Sequence, residues 1–249
     1  MKSLGILFDV DGVLTLPITE DRKISVIDQD LLKKLSDLHQ QDTKFALVTG
    51  RAHPWVKKFL FKERNSFLSE IPIFMEYGLT SLINNQLTIS KKAKNFRDEV
   101  FFPILSTVKQ ISKEKGFLFE ITPYIYYPAH GSLWLEEKNV MISIVSNSAI
   151  SLDQVHKIVT EAVEDYIDEI RLINHHLGCD ILPKGWSKEQ AAIEAYQILD
   201  PNKNIEKWFI FGDNESDKEM CRPFSQFTFI DTKINASETT KNFLNMLKL

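Results

Sequence analysis

The stretch LFDVDGVLT, residues 7–15, places two aspartates and a glycine directly after an apolar run. The run itself, LGILF at 4–8, predicts a short buried β-strand. Asp9 and Asp11 are two positions apart, so in an extended chain their side chains point to the same side. Carboxylates held this close repel each other unless a cation or a shared proton offsets the charge. The stretch therefore predicts a strand whose carboxyl end carries a functional site.

The same arrangement recurs along the chain. Short apolar runs that end in polar residues or glycine occur at 44–50 (KFALVTG), 71–78 (IPIFMEYG) and 207–213 (KWFIFGD). Apolar residues at helical spacing lie between them, at 28–40 and after Pro54. Strands that alternate with helices indicate an α/β fold with a Rossmann-like parallel-sheet core.

The middle of the chain follows another pattern. Residues 81–89 predict a hairpin around Asn84 and Asn85, and β-rich runs follow at 117–126 and 132–146. Two helical patterns accompany them. This part of the chain is typical of a compact α+β unit inserted into the parallel-sheet core.

The predicted organisation therefore has three segments. The first part of the core domain covers 1–80, an inserted α+β cap domain covers 81–176, and the second part of the core covers 177–249. The run CDILP at 179–183 is predicted as the first strand of the returning core.

Composition narrows the class of protein. The chain has 249 residues and a net charge of −4, so no overall basic field favours nucleic acid or an anionic membrane. No apolar stretch is long enough to span a bilayer, and the apolar run near the start is too short for a signal peptide. Two cysteines without metal-site spacing favour a reducing compartment. We expect a cytoplasmic protein with no nucleic-acid or membrane partner; the sequence does not indicate its oligomeric state.

The strand ends carry chemistry that fits a metal ion. Ligands of open parallel sheets bind beyond the carboxyl ends of the strands, so groups placed there converge. Asp9 and Asp11 follow the first strand, and Asp213 follows a later one. Three carboxylates make a hard-oxygen site that suits Mg²⁺.

Groups that suit a phosphate are predicted at the same edge. The Thr49 hydroxyl and the backbone N–H groups near Gly50 are hydrogen-bond donors at a second strand end. Lys188 lies in the first turn of a helix that opens with a capping box, Ser187 and Gln190. A helix N-terminus already favours an anion. With metal and phosphate together, one aspartate can attack phosphorus and the other can act as general acid and base.

Four motifs resemble those of the haloacid dehalogenase-like phosphohydrolases. LFDVDGVLT is similar to the first motif, VTGR (48–51) to the second, PKGWSKEQA (183–191) to the third and FGDNESDKEM (211–220) to the fourth. The resemblance implies the following roles: Asp9 as nucleophile and metal ligand, Asp11 as general acid and base and as a metal ligand through its carbonyl, Thr49, Gly50 and Lys188 as phosphate-binding residues, Asp213 as a Mg²⁺ ligand, and Asp217 and Arg51 as supporting residues.

The long interval between the second and third motifs is similar to that of the members whose cap domain is inserted there. This group includes Cof-type sugar phosphatases and phosphomannomutases. By resemblance, we expect a Mg²⁺-dependent phosphatase that acts on a small phosphorylated metabolite, in particular a sugar or polyol phosphate, through an aspartyl-phosphate. Two alternatives stay open: a phosphomannomutase-like hexose phosphomutase, and a non-catalytic protein that binds phosphate.

The motifs depart from the family pattern in two places. Ser216 stands where the family usually has asparagine, and the third motif offers Lys184 as well as Lys188. The family pattern GxxK favours Lys188.

Several other residues allow a functional and a structural interpretation. His175 and His176 lie near Cys179, but their spacing is poor for a metal site. Further candidates to line the active site are aromatic, acidic and histidine side chains: Tyr126, His130, Trp134, Glu136 and Trp186.

Overall fold

A computed structural model describes residues 4–16, 26–61, 66–122, 133–136, 138–146, 150–175 and 178–246. The chain divides into two compact units. The first comprises Met1–Gly50, Val56–Thr88 and Ser187–Leu249, and the second comprises Arg51–Trp55 and Ile89–Trp186. Each unit contains its own β-sheet. The expected α/β fold with a parallel-sheet core is confirmed.

The described residues form strands and helices with the following bounds. The strands are β1 (Leu4–Phe8), β2 (Lys44–Val48), β3 (Ile73–Met75), β4 (Thr80–Ile83), β5 (Gln86–Ile89), β6 (Phe119–Thr122), β7 (Leu133–Glu136), β8 (Ile142–Ser146), β9 (Ile170–His175), β10 (Gly178–Pro183), β11 (Lys207–Gly212) and β12 (Phe227–Asp231). The helices are α1 (Gln29–Gln40), α2 (His53–Phe59), α3 (Lys91–Phe96), α4 (Phe102–Glu114), α5 (Leu152–Ala162), α6 (Lys188–Leu199), α7 (Glu215–Lys218) and α8 (Ser237–Met246).

The sheet of the first unit has the order β12-β11-β1-β2-β3-β4-β5. The strands from β12 to β3 are parallel, and β4 runs antiparallel to β3. The carboxyl ends of β11, β1 and β2 are therefore neighbours. This is the edge at which the sequence predicted convergence of the functional groups.

The central strand is buried on both faces. Ile6, Leu7 and Phe8 are inaccessible to solvent, which explains the continuous apolar run before Asp9. On one side Phe8 stacks on Phe211, with ring centroids 5.0 Å apart.

Helix α6 packs closely against this sheet. Its small residues Ala191, Ala192 and Ala195 belong to the same buried cluster as Leu7. Because α6 leads into β11, it runs antiparallel to the strands and begins at their carboxyl edge. The packing thus determines where its first residue, Lys188, lies.

The sheet of the second unit has the order β6-β7-β8-β10-β9. Only β6 and β7 are parallel; the other described pairs are antiparallel. Helices α4 and α5 contact each other, and α5 packs on β8 and β10. This unit is an α+β structure, as the sequence predicted for the middle of the chain.

Two segments belong to a different sheet from the one that the sequence predicted. The hairpin at 81–89 forms, and Asn84 and Asn85 both adopt positive φ, but it extends the core sheet because β4 pairs with β3. Its assignment to the cap is therefore wrong. The assignment of the run at 179–183 to the core is also wrong, because β10 pairs with β8 and β9 of the second sheet. The second unit accordingly covers Arg51–Trp55 and Ile89–Trp186, whereas the predicted cap covered 81–176.

Within the described ranges, no helix combines the length and the apolar character needed to cross a bilayer.

Candidate active site

The central strand β1 carries Asp9 to the carboxyl edge of the sheet. The Asp9 N–H donates to the Phe211 carbonyl at 2.9 Å, so the pairing with β11 continues one residue beyond the strand. The Val10 carbonyl accepts a hydrogen bond of 2.9 Å from the Leu14 N–H, which closes a turn. The Asp9 residue is only 3% exposed. A carboxylate this deeply buried needs a charged or hydrogen-bonding partner.

Lys188 is that partner. Its ammonium donates to Asp9 Oδ1 at 2.7 Å and to Asp217 Oδ1 at 2.5 Å. The lysine is placed by the capping box that begins α6, in which the Ser187 N–H donates to Gln190 Oε1 at 2.8 Å. The sequence predicted the capping box. The resemblance had favoured Lys188 over Lys184 as a phosphate-binding residue, and that role stays a prediction.

The alternative lysine of the third motif lies elsewhere. Lys184 is exposed, and its ammonium is 3.5 Å from Asp168. The described contacts of Lys184 therefore lie outside the group of Asp9, Lys188 and Asp217.

Asp217 uses both of its carboxylate oxygens. Oδ1 accepts the Lys188 hydrogen bond, and Oδ2 accepts the N–H groups of Asp213 and Asn214 at 3.0 and 3.1 Å. The residue is inaccessible to solvent. A Cβ on Gly212 would lie 2.2 Å from the Asp217 Cβ, so this contact requires glycine. Asp217 thus fixes both the lysine and the backbone that carries Asp213.

Gly12 lets Asp213 approach the Asp9 turn. Gly12 has φ +69°, and a Cβ there would lie 2.2 Å from Asp213 Oδ2. Thr232 joins the same two turns: its hydroxyl lies 2.8 Å from the Gly12 carbonyl and 3.1 Å from the Gly212 carbonyl. These contacts connect the two chain segments that carry the aspartates.

Burial and the neighbouring carboxylates at this edge shift the pKa values of the ionisable groups. Burial raises the pKa of Asp9 well above its usual range; the Lys188 ammonium opposes the shift, and Asp217 and Asp11 add to it. Burial, followed by the charge of Asp217, raises the pKa of Asp213 to about 6. Burial alone would lower the pKa of Lys188, but Asp217 and Asp9 raise it above its usual value. Carboxylates with raised pKa are those that a bound cation would stabilise.

The donor set fits a divalent cation. One carboxylate oxygen from each of Asp9, Asp213 and Asp217 lies within 4.8 Å of the others. The Asp217 oxygens are engaged by Lys188 and by two backbone N–H groups. The side chains that remain for the cation are therefore those of Asp9 and Asp213, which are hard oxygen donors of the kind that Mg²⁺ prefers. The Asp11 side chain is not part of this group; the resemblance had implied a metal contact through its backbone carbonyl and a separate role as general acid and base.

Residue 216 is a serine where the family usually has asparagine, but the nearby residue Asn214 carries an amide. The Ser216 hydroxyl donates to Asn214 Oδ1 at 2.6 Å, and the Asn214 amide donates to Asp213 Oδ1 at 2.9 Å. An amide thus contacts Asp213 from position 214, although residue 216 is a serine.

Thr49 and Gly50 lie at the end of β2, the strand next to β1. Thr49 is inaccessible to solvent, and its N–H donates to the Phe74 carbonyl at 2.8 Å. Arg51 is grouped with the second unit. Its guanidinium lies over the Trp55 ring, 4.9 Å from the centroid, and 3.9 Å from Glu136. The structure thus places Arg51 against Trp55 and Glu136.

The remaining candidates divide into three groups. Tyr126, His130 and His176 lie outside the described residues. His175 lies 3.7 Å from Asp180 within the second sheet, and burial raises the pKa of the Cys179 thiol to about 12. These contacts favour structural roles for His175 and Cys179 over roles in a metal site. Trp134 and Trp186 belong to the second unit.

Thr232 and Tyr77 are residues that contact the site and that the sequence did not identify. Thr232 follows β12 with no motif around it. Tyr77 lies in the run at 71–78, but nothing in that run indicates that it adopts φ 60°. A positive φ at a tyrosine cannot be inferred from residue type, because it is set by tertiary contacts.

The chain thus combines a parallel sheet, an acidic group with a buried lysine, and a second unit inserted into the chain, which is the architecture of an α/β protein. A family model described as haloacid dehalogenase-like hydrolase matches residues 6–226. The chain belongs to this family, and the prediction of a hydrolase is confirmed. Among proteins with curated functions, none has a sequence that matches this chain.

Solved structures share the fold at low sequence identity. A trehalose-6-phosphate phosphatase related protein is 19% identical with a TM-score of 0.64, and the match covers 98% of each chain. The C-terminal domain of trehalose-6-phosphate phosphatase from C. albicans is 15% identical with a TM-score of 0.63, covering 88% of this chain and 73% of that one. A C-terminally truncated IMP-nucleotidase from Plasmodium falciparum is 15% identical with a TM-score of 0.58, covering 99% and 71%.

Proposed function

We propose that the protein is a Mg²⁺-dependent phosphatase that hydrolyses a small phosphorylated metabolite through an aspartyl-phosphate on Asp9. The observation that carries the proposal is the buried group in which Lys188 bridges Asp9 and Asp217 beside Asp213. A buried lysine held against a carboxylate supplies positive charge where a phosphoryl group would be transferred. Family membership supports the same chemistry.

The first step uses Asp9 as the nucleophile. Its carboxylate oxygen attacks phosphorus, and the bond from phosphorus to the leaving oxygen breaks. Asp11 donates its proton to that oxygen, so the leaving group departs as an alcohol. Lys188 offsets the charge on the phosphoryl oxygens. The side chains of Asp9 and Asp213 would hold Mg²⁺, which would supply further positive charge to the phosphoryl group.

The second step restores the enzyme. Asp11, now ionised, takes a proton from a water molecule, and the resulting hydroxide attacks phosphorus of the aspartyl-phosphate. The bond between phosphorus and the Asp9 oxygen breaks, inorganic phosphate leaves, and Asp9 returns as a carboxylate. Asp217 takes no part in either transfer; it keeps Lys188 and the Asp213 backbone in place.

A sugar or polyol phosphate is the proposed substrate class. The C-terminal domain of trehalose-6-phosphate phosphatase from C. albicans has this fold, and its name states that the protein acts on a sugar phosphate.

The test is phosphate release from a panel of sugar phosphates, polyol phosphates, small acid phosphates and nucleoside monophosphates, with Mg²⁺ or with a chelator. We expect Mg²⁺-dependent release by the wild type and none by Asp9→Asn. Asp200→Asn is the matched control, since Asp200 is 4% exposed and accepts backbone N–H groups away from the site. Absence of release from every compound by a folded wild type would contradict the proposal. Hexose bisphosphates then test the mutase alternative.

A further inference from the structure

The turn after β3 is held in an unfavourable backbone conformation. Glu76, Tyr77 and Gly78 have φ values of 51°, 60° and 85°. Positive φ is uncommon for residues other than glycine, asparagine and aspartate, and it is unfavourable for a bulky side chain. Such a conformation persists only where the surrounding structure enforces it.

Contacts on two sides enforce this turn. The Tyr77 N–H donates to the Thr49 carbonyl at 3.1 Å, which fixes the turn to the end of β2. A Cβ on Gly78 would lie 2.7 Å from the Ala191 Cβ, so the turn also packs tightly against α6. The turn is thus held between the strand end that carries Thr49 and the helix that begins with Lys188.

The Tyr77 side chain lies between two residues of the proposed phosphate site. Its ring centroid is 5.6 Å from the Lys188 ammonium nitrogen, a distance at which the face of the ring attracts a cation. A Cβ on Gly50 would lie 3.2 Å from the edge of the same ring. Tyr77 is only 7% exposed, so little water screens this contact.

We propose that Tyr77 is a positioning residue that keeps the Lys188 ammonium at the phosphate site through the face of its ring. This inference rests on the proposed function. Lysine is a point charge on a flexible four-carbon stem, so its position depends on its partners. One of these partners, Asp9, loses its negative charge when it becomes an acyl phosphate. Asp217 and Tyr77 do not change during the reaction, and they hold the ammonium from two sides throughout.

The test measures the affinity of inorganic phosphate by calorimetry, in the presence of Mg²⁺, for the wild type and three variants. Tyr77→Phe keeps the ring and should bind phosphate within about twofold of the wild type, whereas Tyr77→Leu should bind about 2- to 30-fold more weakly. Tyr196→Leu is the matched control: Tyr196 is also 7% exposed but packs on Phe224 and Trp208. It should melt at a lower temperature and bind phosphate like the wild type. If Tyr77→Leu does not fold, Tyr77→Asn replaces it, because asparagine tolerates positive φ.

The outcomes separate this inference from the proposed function. Wild-type affinity in folded Tyr77→Leu or Tyr77→Asn overturns the positioning role, and so does equal weakening in Tyr77→Phe or in Tyr196→Leu. In these cases, wild-type phosphate release that is lost in Asp9→Asn leaves the proposed function intact. A wild type that neither binds phosphate nor releases it from any substrate overturns the proposed function, and the role of Tyr77 with it.

Discussion

Lys188 and Asp217 form a buried ion pair with 2.5 Å between the ammonium nitrogen and Oδ1, and neither side chain is more than 3% exposed. The same ammonium reaches Asp9 at 2.7 Å. Charges buried together stabilise each other only while both are present, and removal of one leaves the other uncompensated. The stability of the first unit should therefore depend strongly on this lysine.

Lys188→Met should lower the free energy of unfolding by about 3–5 kcal/mol at pH 7. The loss should be smaller at pH 5. The pKa of Asp9 is already raised in the folded state, and without the ammonium it rises further, so acid protonates the folded carboxyl and relieves the repulsion. Urea denaturation at the two pH values measures both effects. Lys184→Met is the control and should change stability by less than about 0.5 kcal/mol, since Lys184 is exposed. A loss that grows on acidification would contradict the charge argument.

Mg²⁺ affinity should fall below pH 6. The pKa of Asp213 is raised to about 6, and a protonated carboxyl does not ligate the ion, so the affinity should drop by about tenfold per pH unit below that value. In the absence of Mg²⁺, the stability of the fold depends on pH in the opposite direction and is higher at low pH. A raised pKa means that the folded state binds the proton more tightly, so Asp213 destabilises the fold as pH rises through 6.

Calorimetric titration of Mg²⁺ from pH 5 to pH 8 measures this dependence. Asp213→Asn should bind Mg²⁺ more weakly at every pH and lose the part of the pH dependence that belongs to Asp213; the rest belongs to Asp9, whose pKa is also raised. If wild-type affinity stays constant between pH 5 and pH 7, Asp213 is not a ligand.

Gly12→Ala should disrupt the site more than the backbone strain alone predicts. The new Cβ would lie 2.2 Å from Asp213 Oδ2 at a residue with φ +69°. Gly116→Ala is a matched control, because Gly116 has φ +73° and no atom within 4 Å of such a Cβ. The control should lose about 1 kcal/mol of stability and keep its phosphate release. Gly12→Ala should lose more stability and most of its Mg²⁺-dependent activity. Equal effects of the two changes would show that the proximity of Asp213 does not matter.

Thr232→Val should loosen the two turns that carry the aspartates. The change keeps the shape of the side chain and removes the hydroxyl that contacts the Gly12 and Gly212 carbonyls. We expect a loss of about 1 kcal/mol in stability together with a several-fold lower kcat. Thr240→Val is the comparison: Thr240 is equally buried, but its hydroxyl donates only to the Val13 carbonyl, at 3.1 Å. Thr240→Val should lose similar stability and keep kcat; a drop in kcat for both variants, or for neither, argues against a linking role for Thr232.

The sequence predicted the parts of this protein that local patterns encode. Apolar runs followed by polar groups identified β1, β2 and β11, and the capping box located Lys188. The edge at which Asp9, Thr49 and Asp213 lie followed from the rule for parallel sheets. The strands and the capping box could be predicted because each depends on spacing within a few residues, and the rule for parallel sheets then places the strand ends at one edge.

Features set by distant contacts were not predicted. An apolar run such as residues 179–183 has the same composition in either sheet, so its pairing with β8 and β9 could not be read from it. Asn84 and Asn85 identify a turn but not the neighbour of the hairpin. The requirement for glycine at 12, the hydroxyl of Thr232 and the positive φ of Tyr77 each depend on residues far away in the chain.

The most direct test of the account is to trap the intermediate. The wild type, supplied with Mg²⁺ and its best substrate from the panel, is quenched during turnover, reduced with borohydride and analysed by peptide mass spectrometry. An acyl phosphate on Asp9 should be recovered as the reduced residue at position 9, and it should be absent when substrate is omitted and in Asp9→Asn. Phosphate release with no reducible group at Asp9, or full turnover by Asp9→Asn, would contradict a mechanism through an aspartyl-phosphate.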